Sequence, residues 1–313
     1  MAEILSLALP FFGLIFLGLA GGFIFKGQGS LDWLNTFVIY FALPALFFKL
    51  IATTPFGELA NLRFIGTTTL VTFCTFVIAF IVGLIATRND LAAAAIQGGL
   101  GAYGNIGYLG PGLALAALGP AATVPTALIV CCDSALIFVI VPLIMAFAGR
   151  DAGSLAATLY DVARRVLTHP FIVATVLGIL AAYIEVPIPG ALDRLLTMLS
   201  GAAAPCALFA MGVRIAQRPL KRIPREMPVL ISIKLLLHPS ILALALAATG
   251  SFERTWALTA LLLAALPPAA NVFVLAQQYE VYVERASSTI MIGTFVSVPT
   301  VTALLYLISA GYV

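Results

Sequence analysis

Long apolar runs, separated by short segments of charged, glycine and proline residues, fill this sequence from one end to the other. A run of about 20 apolar residues is long enough to cross a lipid bilayer as a helix. Cutting the chain at the polar segments gives ten such runs. They cover residues 4–25, 33–52, 64–86, 91–118, 121–147, 170–183, 193–216, 227–249, 255–278 and 286–309. The pattern therefore predicts an all-α, multi-pass integral membrane protein with ten transmembrane helices.

The composition agrees with this pattern and excludes a soluble globular enzyme. Hydrophobic residues make up 62% of the 313 residues and charged residues only 9%, whereas soluble domains carry about 25% charged residues. The mean hydropathy is +1.12. The first run follows Glu3 and no basic residue, so we expect a retained span rather than a cleaved signal peptide. The four cysteines lie in apolar runs without paired ligand spacing, and no metal site is expected.

The basic residues predict how the chain sits in the membrane, because cytoplasmic loops are enriched in lysine and arginine. The loops after the odd-numbered spans hold eleven of the sixteen basic residues. The opposite side holds four, and Lys234 lies inside a span. We therefore predict an inner-membrane protein with both termini on the non-cytoplasmic side. The basic residues are scattered over span ends and form no single face, so no nucleic-acid partner is expected.

A weak internal repeat relates the first part of the chain to the second. The segment Leu-Asp-Trp-Leu-Asn-Thr at 31–36 recurs as Leu-Asp-Arg-Leu-Leu-Thr at 192–197, an offset of 161 residues. Other pairs at this offset or at 160 are Pro44 with Pro205, Phe48 with Phe209, and Gly18 with Gly178. The alternative is chance similarity among apolar helices.

The repeat predicts the domain organisation. The longest loop, 148–167, separates residues 1–150 from residues 151–313, and no soluble domain interrupts them. Each half contains five spans, an odd number, so the second half must enter the membrane from the opposite face. Two inverted five-helix repeats are typical of secondary transporters.

Spans four and nine are predicted to break near the middle of the bilayer. Span four carries seven glycines and Pro111 within residues 98–112, and span nine carries Pro267 and Pro268. Unwound backbone must be buried in protein or line a wet cavity, because hydrocarbon cannot satisfy its polar groups. The ends of half-helices then offer partial positive charge to anions and carbonyls to cations. The alternative for span four is a glycine-rich face for close helix packing.

These breaks and the few polar groups inside spans supply the candidate site residues. For substrate binding we predict Tyr40, Gly104, Asn105, Tyr108, Pro111, Lys234, Pro267, Pro268 and Asn271. For the coupling ion or proton we predict Asp133, Gln97 and Gln277. Two alternatives stay open for the charged pair: Asp133 and Lys234 neutralise each other, or Lys234 extends to the membrane surface. We interpret His238, which precedes Pro239, as a hydrogen-bonded residue at a helix kink.

Three motifs give the chain a resemblance to a known family. They are Ala-Leu-Pro-Ala-Leu-Phe-Phe at 42–48, Gly-Asn-Ile-Gly-Tyr-Leu-Gly-Pro at 104–111 and Pro-Pro-Ala-Ala-Asn at 267–271. Together they resemble the auxin efflux carrier family, which includes bacterial malonate transporter-like proteins. The resemblance implies a bile acid:sodium symporter-like fold, in which a core domain moves past a panel domain in an elevator-like cycle. It places Asn105, Pro111, Pro267, Pro268 and Asn271 where spans four and nine cross.

The expected function is secondary active transport of a small mono- or dicarboxylate, such as malonate or malate. Coupling to H⁺ or Na⁺ is expected, with no other cofactor. The expected partners are the organic acid and the lipid bilayer, and a homodimer is the assembly we consider. The alternatives are a sodium symporter for bile acids or sterols and, in a different class, a channel. An enzyme is not expected, because His169 and His238 lack a nearby nucleophile or metal-ligand set.

Overall fold

A computed structural model describes residues 2–25, 32–59, 61–149, 160, 163–164, 167–168, 170–185, 187–217, 223–250 and 252–312. His169 and most of the predicted central loop 148–167 lie outside these residues. Within them the regular secondary structure is helical, and the one extended pairing is a β-bridge between Gly104 and Pro268.

The helices follow the predicted spans. They are α1 (Ala2–Ile24), α2 (Asp32–Phe37), α3 (Leu43–Ala52), α4 (Phe56–Leu59), α5 (Leu62–Ala86), α6 (Leu91–Ala102), α7 (Gly110–Leu118), α8 (Thr123–Phe147), α9 (Pro170–Ile184), α10 (Gly190–Ala216), α11 (Met227–Ser232), α12 (His238–Thr249), α13 (Arg254–Ala264), α14 (Ala270–Gln278) and α15 (Val283–Ser309). Two π-helical turns, Val38–Ala42 and Ile233–Leu237, connect α2 to α3 and α11 to α12.

Six helical segments of the described chain are long and apolar enough to cross a membrane. They are Trp33–Ala52, Leu62–Ala86, Pro120–Phe147, Gly190–Arg214, Met227–Thr249 and Val283–Ser309. Shorter apolar helices lie within the remaining predicted spans, at Phe12–Ile24, Leu91–Ala102, Ile172–Ile184 and Arg254–Ala264. Two of the short helices end where glycine or proline interrupts the helical backbone, as the sequence predicts. The all-helical membrane architecture is therefore confirmed.

The helices pack in two groups. In the first group α1 packs along α10, and α3 packs between α9 and α10. In the second group α5 packs against α6, α8 and α12, while α13 packs against α7, α8 and α12. The broken helices therefore belong to the second group, where α7 contacts α1 of the first group.

Two glycines set the closest contact in the first group. A Cβ atom on Gly18 of α1 would lie 2.1 Å from the carbonyl oxygen of Phe209, and one on Gly212 of α10 would lie 2.0 Å from that of Ile15. No side chain fits at such distances, so the two backbones are in direct contact. A similar but looser contact joins Gly178 of α9 to α3, where a Cβ atom would lie 3.2 Å from the carbonyl oxygen of Phe48.

Candidate functional site

The two broken helices meet at their breaks. Helix α6 ends at Ala102 and α7 begins at Gly110, while α13 ends at Ala264 and α14 begins at Ala270. The extended segments between them run antiparallel and pair at Gly104 and Pro268. We call this pairing, residues 103–105 with 267–269, the helix crossing.

Two hydrogen bonds hold the helix crossing together. The backbone N–H of Asn105 donates to the carbonyl of Pro267 at 2.7 Å, and the N–H of Ala269 donates to the carbonyl of Tyr103 at 3.0 Å. Both bonds come from residues that flank the paired positions, as in a non-hydrogen-bonded antiparallel pair. Pro268 therefore needs no N–H to take part, which is why a proline is tolerated there. Each break satisfies polar groups that the other leaves open.

The two predicted asparagines lie at the helix crossing. Asn105 is 1% exposed, and its Nδ2 donates to the sulfur of Met211 at 3.1 Å. Its Oδ1 has no hydrogen-bond partner among the described residues. A thioether is a weak acceptor, so most of the hydrogen-bonding capacity of this amide is unused within the described residues. Asn271 is half-buried in the first turn of α14, beside the hydroxyl of Tyr103.

A cleft opens next to the helix crossing. It is bounded by α2, α10, α14, α15 and the segment between α6 and α7. Its lining residues are Asn35, Tyr108, Ala207, Met211, Arg214, Ala270, Phe273, Ser287, Ile290 and Met291. Among these lining residues, Arg214 alone is charged. We call this space the Arg214 cleft.

Positive charge in the Arg214 cleft comes from two directions. The Arg214 guanidinium, in the last turn of α10, is close enough to act electrostatically on the Tyr108 side chain. Ala270 begins α14, and the first turn of a helix carries partial positive charge on its N–H groups. An anion placed between them would be bound by a guanidinium and by backbone amides, a combination common at anion sites.

A chain of buried polar groups lies on the other side of the helix crossing. Lys234 hydrogen-bonds to the carbonyl of Ala264 and, at 3.1 Å, to Nδ1 of His238. Nε2 of His238 lies 3.4 Å from the hydroxyl of Thr72, which donates to Oδ2 of Asp133 at 2.8 Å. Lysine only donates and a carboxylate only accepts, so the chain runs in one direction, with a neutral His238 protonated at Nε2. It connects the ammonium to the carboxylate without direct contact.

The structure brings most of the predicted site residues together. Gly104, Asn105, Pro267, Pro268 and Asn271 form or flank the helix crossing. Tyr108 lines the Arg214 cleft, and Pro111 is buried in the first turn of α7. Asp133 and Lys234 belong to the polar chain.

Three predicted residues have other surroundings, and one alternative is wrong. Gln97 is buried within α6, where its Nε2 donates to the carbonyl of Ala93 at 3.4 Å. Tyr40 is 60% exposed on a π-helical turn, and Gln277 is exposed on α14. Lys234 is 0% exposed, so it does not extend to the membrane surface.

Sequence reasoning missed three polar residues of the cleft: Asn35, Arg214 and Ser287. Arg214 is counted in the sequence as one of the cytoplasmic loop charges, whereas it belongs to the last turn of α10. A signal was present, because Ala207, Met211 and Arg214 are spaced four and three residues apart and so share one helix face.

Comparisons with known proteins identify the family of the chain. The family model described as membrane transport protein matches residues 9–305. A relative from Rhizobium meliloti (strain 1021), named "Putative malonate transporter", is 52% identical over 312 residues, which are 99% of this chain and 98% of the relative. The predicted resemblance is thereby confirmed, and transport rather than enzymatic activity is what the family description and the relative's name indicate. The chain belongs to the membrane transport protein family, that of the auxin efflux carriers.

Proposed function

We propose that this protein is a secondary active transporter of a small carboxylate and that the substrate binds in the Arg214 cleft. The observation that carries the proposal is the position of Arg214, which lines the same, mostly apolar cleft as Ala270, the first residue of α14. A carboxylate between them is attracted by both, while the apolar walls limit competing hydration. Asn105 and Asn271 lie at the helix crossing beside this space.

The substrate class follows from the charge of the cleft and from the relative's name. One guanidinium and one helix terminus suit a ligand with one or two carboxylates. The relative from Rhizobium meliloti is named for malonate, a three-carbon dicarboxylate. Malonate and similar short dicarboxylates are therefore the substrates we propose first.

An elevator-type cycle of two inverted repeats is part of the proposal. Gly18 of α1 contacts Phe209, and Gly178 of α9 contacts Phe48. The repeat pairs these glycines with each other and these phenylalanines with each other, so the two contacts are reciprocal between residues 1–150 and 151–313. We propose that the first helix group is the fixed panel and that the second, with the helix crossing, moves past it. With both termini outside the cytoplasm, the Arg214 cleft opens towards the cytoplasm.

Coupling to a monovalent cation, H⁺ or Na⁺, completes the proposed cycle. Asp133 is the residue we assign to it, because Oδ1 of its buried carboxylate has no hydrogen-bond partner among the described residues. The side chains that face it from neighbouring helices are Thr69 and Thr72 of α5 and Lys234.

The test is transport by the purified protein in proteoliposomes. We expect preloaded malonate to drive uptake of labelled malonate, and we expect this exchange to saturate. Mono- and dicarboxylates added outside the proteoliposomes should inhibit uptake of labelled malonate, and the acids that fit the cleft best should inhibit most strongly. Absence of exchange for every acid in the series, or ion currents far above carrier rates, would contradict the proposal and favour a channel.

The asparagines of the helix crossing give a second prediction. Asn105→Ala and Asn271→Ala should each weaken malonate binding roughly 2- to 10-fold, since a neutral hydrogen bond contributes about 0.5–1.5 kcal/mol. Exchange kinetics measured on folded variants check this. Gln278→Ala is the control, because Gln278 is an exposed amide on the same helix as Asn271. Normal malonate exchange by both asparagine variants would mean that the helix crossing is not part of the substrate site.

A further inference from the structure

Lys234 has the least ordinary environment of any lysine in the described chain. Its side chain is fully buried, and its ammonium bonds to the carbonyl of Ala264, the last residue of α13. A buried ammonium is unfavourable unless the surrounding groups compensate for its lost hydration. The position of Lys234 therefore requires a source of negative potential.

The helix crossing supplies that potential. Helices α6 and α13 both end there, and the C-terminal end of a helix carries about half a negative charge on its open carbonyls. In transporters with discontinuous helices, such carbonyls coordinate the coupling cation. Asp133, which is close enough to interact electrostatically with Lys234, adds a negative charge when it is ionised.

We propose that the Lys234 ammonium is a tethered cation that takes the place of a coupling Na⁺ at the helix crossing. The Lys234 ammonium, which is part of the chain, replaces the free positive ion that such a site would otherwise bind. The consequence, which rests on the transport function proposed above, is that transport of the organic acid does not require Na⁺. Asp133 is then the residue that binds the coupling H⁺.

The local backbone is built to hold the ammonium in place. Lys234 lies on the π-helical turn Ile233–Leu237, and turns of this kind are frequent at functional sites. The turn places Lys234 and His238 on one face, with Nζ 3.1 Å from Nδ1. A Cβ atom on Gly104 would lie 3.2 Å from Cε of Lys234, so glycine leaves the room that the side chain needs.

The proposal predicts that removing the tethered cation creates a demand for a free one. Thermal unfolding of the detergent-purified full chain is measured in NaCl, choline chloride and methylammonium chloride at equal ionic strength. The wild-type midpoint should be the same in all three salts. Lys234→Ala should unfold about 5 °C or more lower in choline, because buried acceptors lose their partner. Na⁺ or methylammonium should restore at least half of that loss, by binding the folded state.

Lys49→Ala is the matched control. Lys49 is a lysine of α3 that pairs with Asp193 at 2.7 Å in a partly exposed position. Its removal should shift the midpoint little and equally in the three salts. Lys234→Gln, which fills the space without the charge, is measured in parallel with Lys234→Ala.

Several outcomes overturn the proposal. Stabilisation of the wild type by Na⁺ relative to choline would show a free-cation site that Lys234 does not fill. If neither Na⁺ nor methylammonium raises the unfolding midpoint of Lys234→Ala or Lys234→Gln, Lys234 has a purely structural role. The same conclusion follows if neither variant can be purified in any of the salts. Malonate exchange that stops without Na⁺ would refute Na⁺ independence, whereas absence of exchange in every salt would refute only the transport function.

Discussion

Arg214→Gln is expected to weaken malonate binding roughly 10- to 150-fold while leaving the protein folded. A hydrogen bond to a charged group contributes about 1.5–3 kcal/mol, and a tenfold change in affinity corresponds to about 1.4 kcal/mol. Arg214 is the one charged residue among those that line the cleft, so no neighbour there replaces it. The half-saturation concentration of malonate exchange in proteoliposomes measures the loss.

Two further variants separate charge from geometry. Arg225→Gln removes an exposed arginine outside the cleft and should leave exchange unchanged. Arg214→Lys keeps the charge but cannot bind a carboxylate through two parallel N–H groups, so it should fall between wild type and Arg214→Gln. If Arg214→Gln and Arg225→Gln exchange malonate equally well, the anion does not bind at Arg214.

Gly212→Ala is expected to lower the midpoint of thermal unfolding by about 2–10 °C, since overpacking costs about 1–3 kcal/mol. The added Cβ atom would meet three backbone atoms: the carbonyl oxygen of Ile15 at 2.0 Å, the nitrogen of Leu19 at 2.7 Å and Cα of Gly18 at 2.9 Å. Backbone atoms cannot rotate away, so α1 and α10 must separate along their length. Thermal unfolding and the yield of monodisperse protein measure the effect.

Gly201→Ala is the control for this substitution, because it lies on the same helix α10 with no atom within 4 Å of the new Cβ atom. Alanine favours helix over glycine by about 1 kcal/mol, so this variant should be as stable as the wild type or slightly more stable. Equal stability of the Gly212 and Gly201 variants would mean that α1 and α10 are not in contact at this point.

The sequence predicted those features that depend on the backbone alone. Clustered glycines and prolines weaken a helix through the backbone itself, so the interruptions at 103–109 and 265–269 were predictable from residues 98–112, Pro267 and Pro268. Single prolines do not have this effect here, since Pro142 and Pro205 lie inside α8 and α10. The need to satisfy freed backbone groups in hydrocarbon predicted that both breaks are sheltered by protein. The structure shows the particular solution, in which the two breaks bond to each other.

The sequence predicted side-chain surroundings less well, for a reason specific to membranes. Lipid and protein interior are equally apolar, so hydropathy does not show which face of a helix packs inwards. Tyr40 and Tyr103 both lie in apolar spans, yet Tyr40 is largely exposed and Tyr103 is buried at the helix crossing. Arg214 shows the converse, because a charge near a span end is expected at the surface. In the fold, residues of α10, α14 and α15 line one cleft, and Arg214 is among them.

The pairing of Gly104 with Pro268 also bears on how the protein is made. The backbone N–H of Asn105 finds its acceptor on Pro267, 162 residues later in the chain, and Tyr103 likewise accepts from Ala269. While the ribosome is still synthesising the intervening residues, the first break has no such partner in the bilayer. Until span nine has been synthesised, the polar backbone groups of the break in span four need another partner, such as water or the insertion machinery. The closing of both breaks is then a late docking step in the biogenesis of this protein.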